Sequence, residues 1–71
     1  MKSVLVFKTS VGKEKEVQQI RPSLNKLMQK NEQWNFDLED CDKILRVETV
    51  HLTAKTIKNT LQTFGYQCEE L

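Results

Sequence analysis

The apolar residues of this chain change their spacing at one short stretch, Val11-Gly12-Lys13-Glu14-Lys15-Glu16-Val17, and that change constrains the fold more than any other feature. Before it, Val4-Leu5-Val6-Phe7 is a short apolar run rich in β-branched residues, which suits a strand. After it, Val17, Ile20, Leu24, Leu27 and Met28 recur at the spacing of one helix face, with Lys15, Gln19, Lys26 and Lys30 outside. A strand that hands over to a helix at a glycine-containing turn aims free backbone N–H groups outward, the geometry of many ligand sites. This turn carries alternating Lys and Glu, with no Cys, His or Ser and no glycine-rich phosphate loop.

The same change of period recurs along the chain. Residues 3–10 predict a strand with Leu5, Phe7 and Thr9 on one face and Val4, Val6 and Lys8 on the other. Residues 13–31 predict one helix, bent at Pro22, with Glu14 and Glu16 in a first turn whose dipole favours carboxylates. Trp34-Asn35-Phe36-Asp37-Leu38 alternates strictly, with Trp34, Phe36 and Leu38 inward. After the polar turn Glu39-Asp40-Cys41-Asp42, residues 43–49 predict the second arm of a hairpin, Leu45 and Val47 inward and Ile44 and Arg46 outward. Thr53 is a good N-cap for a second helix carrying Ala54, Ile57, Leu61 and Phe64, and Gly65 suits its C′ position. Residues 66–71 predict a last, short strand whose glutamates discourage unwanted pairing at an edge.

This βαββαβ order is the split βαβ pattern of an α+β, ferredoxin-like sandwich: four antiparallel strands in the order 4-1-3-2, with both helices on one face. That topology places residues 13–16, the hairpin at 39–42 and Tyr66 at one end, and His51 at the other. The chain has 71 residues, enough for one small domain, 1–71. Eleven basic and ten acidic side chains leave a net charge of +1 and no sustained basic stripe, which argues against nucleic acid as the partner. The run from Val4 to Phe7 is far too short to span a membrane. Met1-Lys2 leads straight into a strand pattern, so no signal peptide is expected, and the two cysteines make no disulfide framework. The expected compartment is the cytoplasm.

The sequence resembles the heavy-metal-associated domain family, the small metal-carrying domains of copper chaperones and metal-pumping ATPases. The shared features are Phe7-Lys8-Thr9 running into the turn, Val17, Ile20, Pro22 and Leu24 on the first helix, Trp34 opening the second strand, Asp42-Lys43 before the third, and Gly65-Tyr66 after the second helix. The resemblance implies the fold above and a hydrophobic residue followed by Cys-x-x-Cys at the head of the first helix. Val11 matches the hydrophobic position, but Lys13 and Glu16 stand where the two cysteines belong. An ammonium has three donors and no lone pair, and a single carboxylate is a weak, hard ligand, so soft-metal chemistry does not carry over. The resemblance also implies that this end of the domain meets protein partners, through Lys13, Lys15 and Tyr66.

The remaining candidates are weaker. Cys41 between Asp40 and Asp42, with Cys68 or Glu16, is an alternative ligand set for a metal carrier, though metal sites need three or four converging ligands. Flanking carboxylates are expected to lower the reactivity of Cys41. Cys68 reads as a small buried hydrophobe, and His51 as a structural or solvent-facing histidine. There is no nucleophile-base-orienter set, and a chain this short has little room for a pocket of about 300 Å³ or more. Val4, Val6 and Ile44 are expected to cluster on the uncovered sheet face, a possible centre for a homodimer or partner contact. The sequence therefore predicts a non-enzymatic protein-interaction module without cofactor or metal. Its alternatives are a metal carrier with unorthodox ligands and a ferredoxin-like small-molecule sensor.

Overall fold

A computed structural model describes residues 1–71. The elements are β1 (Ser3–Thr9), α1 (Glu14–Leu27), β2 (Gln33–Asp37), β3 (Ile44–Thr49), α2 (Ala54–Thr63) and β4 (Cys68–Glu70). All four strands form one antiparallel sheet in the order β2-β3-β1-β4, the α+β arrangement that the alternation of periods predicts. Phe7, Leu45 and Val47 project from the sheet, Val17, Ile20 and Leu24 from α1, and Ile57 and Leu61 from α2; with Val11 and Cys68 they make the core. Every helical core residue belongs to the apolar stripe legible in the sequence. Stripe spacing and strand alternation thus converge on one buried layer.

The helix ends follow local chemistry. Thr53 Oγ1 accepts the Thr56 N–H at 3.3 Å and starts α2. At its far end Gly65 has φ 87°, the Gly65 N–H donates to the Gln62 carbonyl at 2.9 Å, and the Tyr66 N–H donates to the Leu61 carbonyl at 3.1 Å. This is a complete Schellman motif. Because Tyr66 closes that motif, β4 starts at Cys68 rather than at 66. The ladder nevertheless runs on beyond β4, since the Leu71 N–H donates to the Val6 carbonyl at 2.9 Å.

Helix α1 is shorter than the 13–31 expected from its stripe. The Met28 N–H closes on the Asn25 carbonyl, and the Glu32 carboxylate accepts the Gln29 N–H at 2.8 Å. A side chain thus captures the backbone donor that another helical turn would have used. The helix is continuous through Pro22, which is exposed; the Gln18 carbonyl left without its N–H partner belongs to an exposed residue that water can reach. The hairpin strands each shift by one residue from expectation. Lys43 has φ 50°, outside the strand region, so β3 begins at Ile44, and Leu38 falls in the turn.

Three connections meet at one end, as the topology requires. The Thr9 N–H donates to the Asp42 and Lys43 carbonyls, both at 3.2 Å, and the Ser10 N–H to the Gln67 carbonyl at 3.1 Å.

Candidate functional site

At the shared end, Val11 is fully buried and anchors the turn, its N–H held by Thr9 Oγ1 at 3.2 Å. Glu16 folds back so that one carboxylate oxygen accepts the Gly12 N–H at 3.0 Å and the Lys13 N–H at 3.1 Å. This is the returning half of a capping box, which makes the Glu16 carboxylate a folding device. Lys13 and Lys15 are exposed and make no ion pair; the hairpin acid Asp42 is met by Lys8 instead, at 3.8 Å. The Tyr66 hydroxyl donates to Gln19 Oε1 at 3.1 Å, and burial followed by the nearby Glu16 charge raises its pKa. Lys13, Lys15, Glu16 and Tyr66 thus share one end, with the lysines free and the other two engaged.

The alternative metal set does not assemble. Cys68 is 7% exposed within the core, and burial pushes its thiol pKa up to about 11, against a smaller opposing effect of Lys58. Cys41 is exposed in the hairpin, where its sulfur and the carboxylates of Asp40 and Asp42 lie within 4.8 Å of one another. Asp40 Oδ1 already accepts the Asp42 N–H at 2.8 Å. This trio is an acidic turn; neither Glu16 nor Cys68 joins it.

The opposite end holds a group that sequence reasoning missed. Glu32 lies in the α1–β2 loop with a side chain only 1% exposed. Its Oε2 accepts Thr49 Oγ1 and the Val50 N–H, both at 2.6 Å, and the His51 N–H at 3.3 Å, and it lies 2.8 Å from His51 Nδ1. Burial alone would raise this carboxyl's pKa, but donors from Thr49, Gln29, Val50 and His51 hold it far below the usual carboxylate range. An ionised carboxylate only accepts, so the His51 Nδ1–H donates to Glu32. Thr49, Val50 and His51 are 17 to 19 residues from Glu32 in sequence, beyond any local motif.

Two surfaces remain. On the uncovered sheet face Val4 is 56% exposed, Val6 is half-buried, and Ile44 is only 8% exposed, so Ile44 contributes little area. The ladder bond from Leu71 and the alternation of the strand put Leu71, 68% exposed, beside Val6 on that face. Between α1 and β2 lies an open groove of about 380 Å³, more space than the little room expected of so short a chain. It exists because the sheet is wider than its helices cover. Trp34 forms its floor: the indole N–H donates to Asn25 Oδ1 at 2.8 Å, the Arg21 guanidinium lies 5.5 Å from the ring centroid, and Phe36 meets it edge-on at 5.9 Å.

No family model matches the chain, and no match is found to a curated protein or to a solved structure. The functional reading therefore rests on the chain's own residues.

Proposed function

We propose that the protein is a non-enzymatic interaction module, a relative of heavy-metal-associated domains whose metal positions now serve folding and surface roles. The observation that carries the reading is the Val4–Val6–Leu71 cluster on the sheet face that no helix covers. Three apolar side chains on adjacent strands offer a partner a compact dry centre. The charges around them, Lys8 and Arg46 against Glu48 and Glu69, are balanced in sign, which suits a second copy related by a two-fold axis.

The groups that would otherwise suggest chemistry are engaged. Glu16 caps its helix, Cys68 is a buried, protonated thiol, and His51 is tied to Glu32. Sedimentation over a concentration range tests the contact. Val6→Lys leaves the fold intact and reduces association, because it removes apolar area and sets like charges across the symmetry axis. A wild-type protein that stays monomeric at millimolar concentration overturns the homodimer. Unchanged association in Val6→Lys removes this face as the contact.

A further inference from the structure

Strand β2 pairs with β3 alone, so its other side is an open edge. The ladder decides which peptide groups point there. The Val6 carbonyl accepts the Leu71 N–H on the β4 side, so Val6 turns its backbone groups away from β3. Its register partner Arg46 therefore turns away from β1 and toward β2, where it sits opposite Asn35. Gln33, Asn35 and Asp37 accordingly bond to β3, while Trp34 and Phe36 aim their N–H and C=O groups at the open edge. No proline, lysine or bulge on β2 discourages a further strand. The opposite edge, β4, is only three residues long, two of them glutamates.

The five residues of β2 are complementary to themselves. Turned end for end about Asn35, the strand sets Trp34 of one copy against Phe36 of the other, and the reverse. Each such pair exchanges N–H···O=C bonds in both directions, so every free group of Trp34 and Phe36 is satisfied. A register two residues away is worse. It sets Phe36 against Glu32, whose N–H already donates to Gln29, or Trp34 against Leu38, whose carbonyl already accepts Lys43 Nζ.

The side chains agree with that register. On the helix side, the half-buried Trp34 and Phe36 of each copy meet those of the other as cross-strand aromatic pairs. On the far side the two Asn35 amides face one another. Each Gln33 amide lies opposite an Asp37 carboxylate, of which only Oδ1 is used by its own turn. No like charges are directly opposed, and the two Arg46 residues stand three strand spacings apart, about 14 Å.

We infer that β2 is a self-association edge: two copies pair antiparallel about Asn35 and join two four-stranded sheets into one of eight. The inference goes beyond the sheet-face contact and does not rest on it, since that contact uses β1 and the end of the chain.

Amide exchange and sedimentation, both followed from micromolar to millimolar protein, test it. At high concentration the Trp34 and Phe36 amides become slow to exchange, whereas those of Gln33, Asn35 and Asp37, already bonded to β3, change little. Asn35→Asp and Asn35→Lys each set like charges across the axis and weaken the edge contact about three- to tenfold. Mixed in equal amounts, the two variants associate more tightly than either alone, because Asp then faces Lys. Their exchange in β1 and α2 matches the wild type, which shows that they fold. Val6→Lys leaves the protection of Trp34 and Phe36 in place. Fast exchange of those two amides at millimolar protein overturns the inference, as do Asn35 variants that associate like the wild type. A mixture no tighter than its components takes Asn35 off the axis and overturns the pairing. Protection that Val6→Lys abolishes belongs to the sheet face and overturns the edge contact.

Discussion

Glu32 is the residue on which the end of the molecule opposite the Lys13 turn depends. Its folded-state pKa lies below the ordinary 4.5, so the stability it contributes is complete above that value and is lost progressively as pH falls through it. Urea midpoints between pH 7 and pH 2 should therefore fall on the acid side. Glu32→Gln should be less stable at pH 7 and show a flatter acid limb; an unchanged limb would move the acid sensitivity to other carboxylates. Gly65 is a simpler case. A Cβ there would meet nothing within 4 Å, so only the φ of 87° penalises a side chain. Gly65→Ala should cost about 1–2 kcal/mol, and each kcal/mol lowers Tm by about 4–8 °C in a domain of this size.

Among the elements, α1 departs most from its sequence pattern, and the departures have separate causes. Its apolar stripe runs to Met28, so periodicity alone extends the helix; the capture of the Gln29 N–H by a glutamate three residues later ends it. Pro22 is tolerated inside because it faces solvent. Pro22→Ala restores the missing N–H, worth about 3 kcal/mol, and loosens the unfolded chain, worth about 1, so Tm should rise by an amount near 2 kcal/mol of stability. The caps of α2 were legible because Thr53 and Gly65 act within a few residues of themselves. The start of α1 was only half legible: Glu16 was visible as a first-turn carboxylate, but its return to the Gly12 and Lys13 N–H groups follows from the fold of the turn. The β2 groove was not legible, because helix coverage of a sheet edge depends on where α1 lies rather than on any one residue.

For the whole molecule the margin is small. A chain of 71 residues is worth about 4–10 kcal/mol in total, and truncating a fully buried aromatic such as Phe7 to Ala costs about 3–5. Phe7→Ala should thus remove about half of that margin, read as a large drop in the urea midpoint by circular dichroism. The family resemblance has its own whole-chain test. Lys13→Cys with Glu16→Cys would place two thiols about a helical turn apart at a helix N-terminus, where the dipole favours thiolates. The double variant should bind Cu(I) in competition with a chelator where neither single variant does, and the loss of the Glu16 cap should cost about 1 kcal/mol. Equal affinity in all forms would separate this turn from the metal loops that it resembles.

The placement of Trp34 has a spectroscopic consequence. It is the chain's one tryptophan, half-buried between α1 and β2 and hydrogen-bonded through its indole N–H. Its emission should sit to the blue of free indole in water and move red when α1 lifts from the sheet. The Arg21 guanidinium over its face makes that emission sensitive to any anion that draws the arginine away. The protein thus carries a native fluorophore at the seam where its edge strand meets its first helix, and the colour of one ring reports whether that seam is empty, occupied or open.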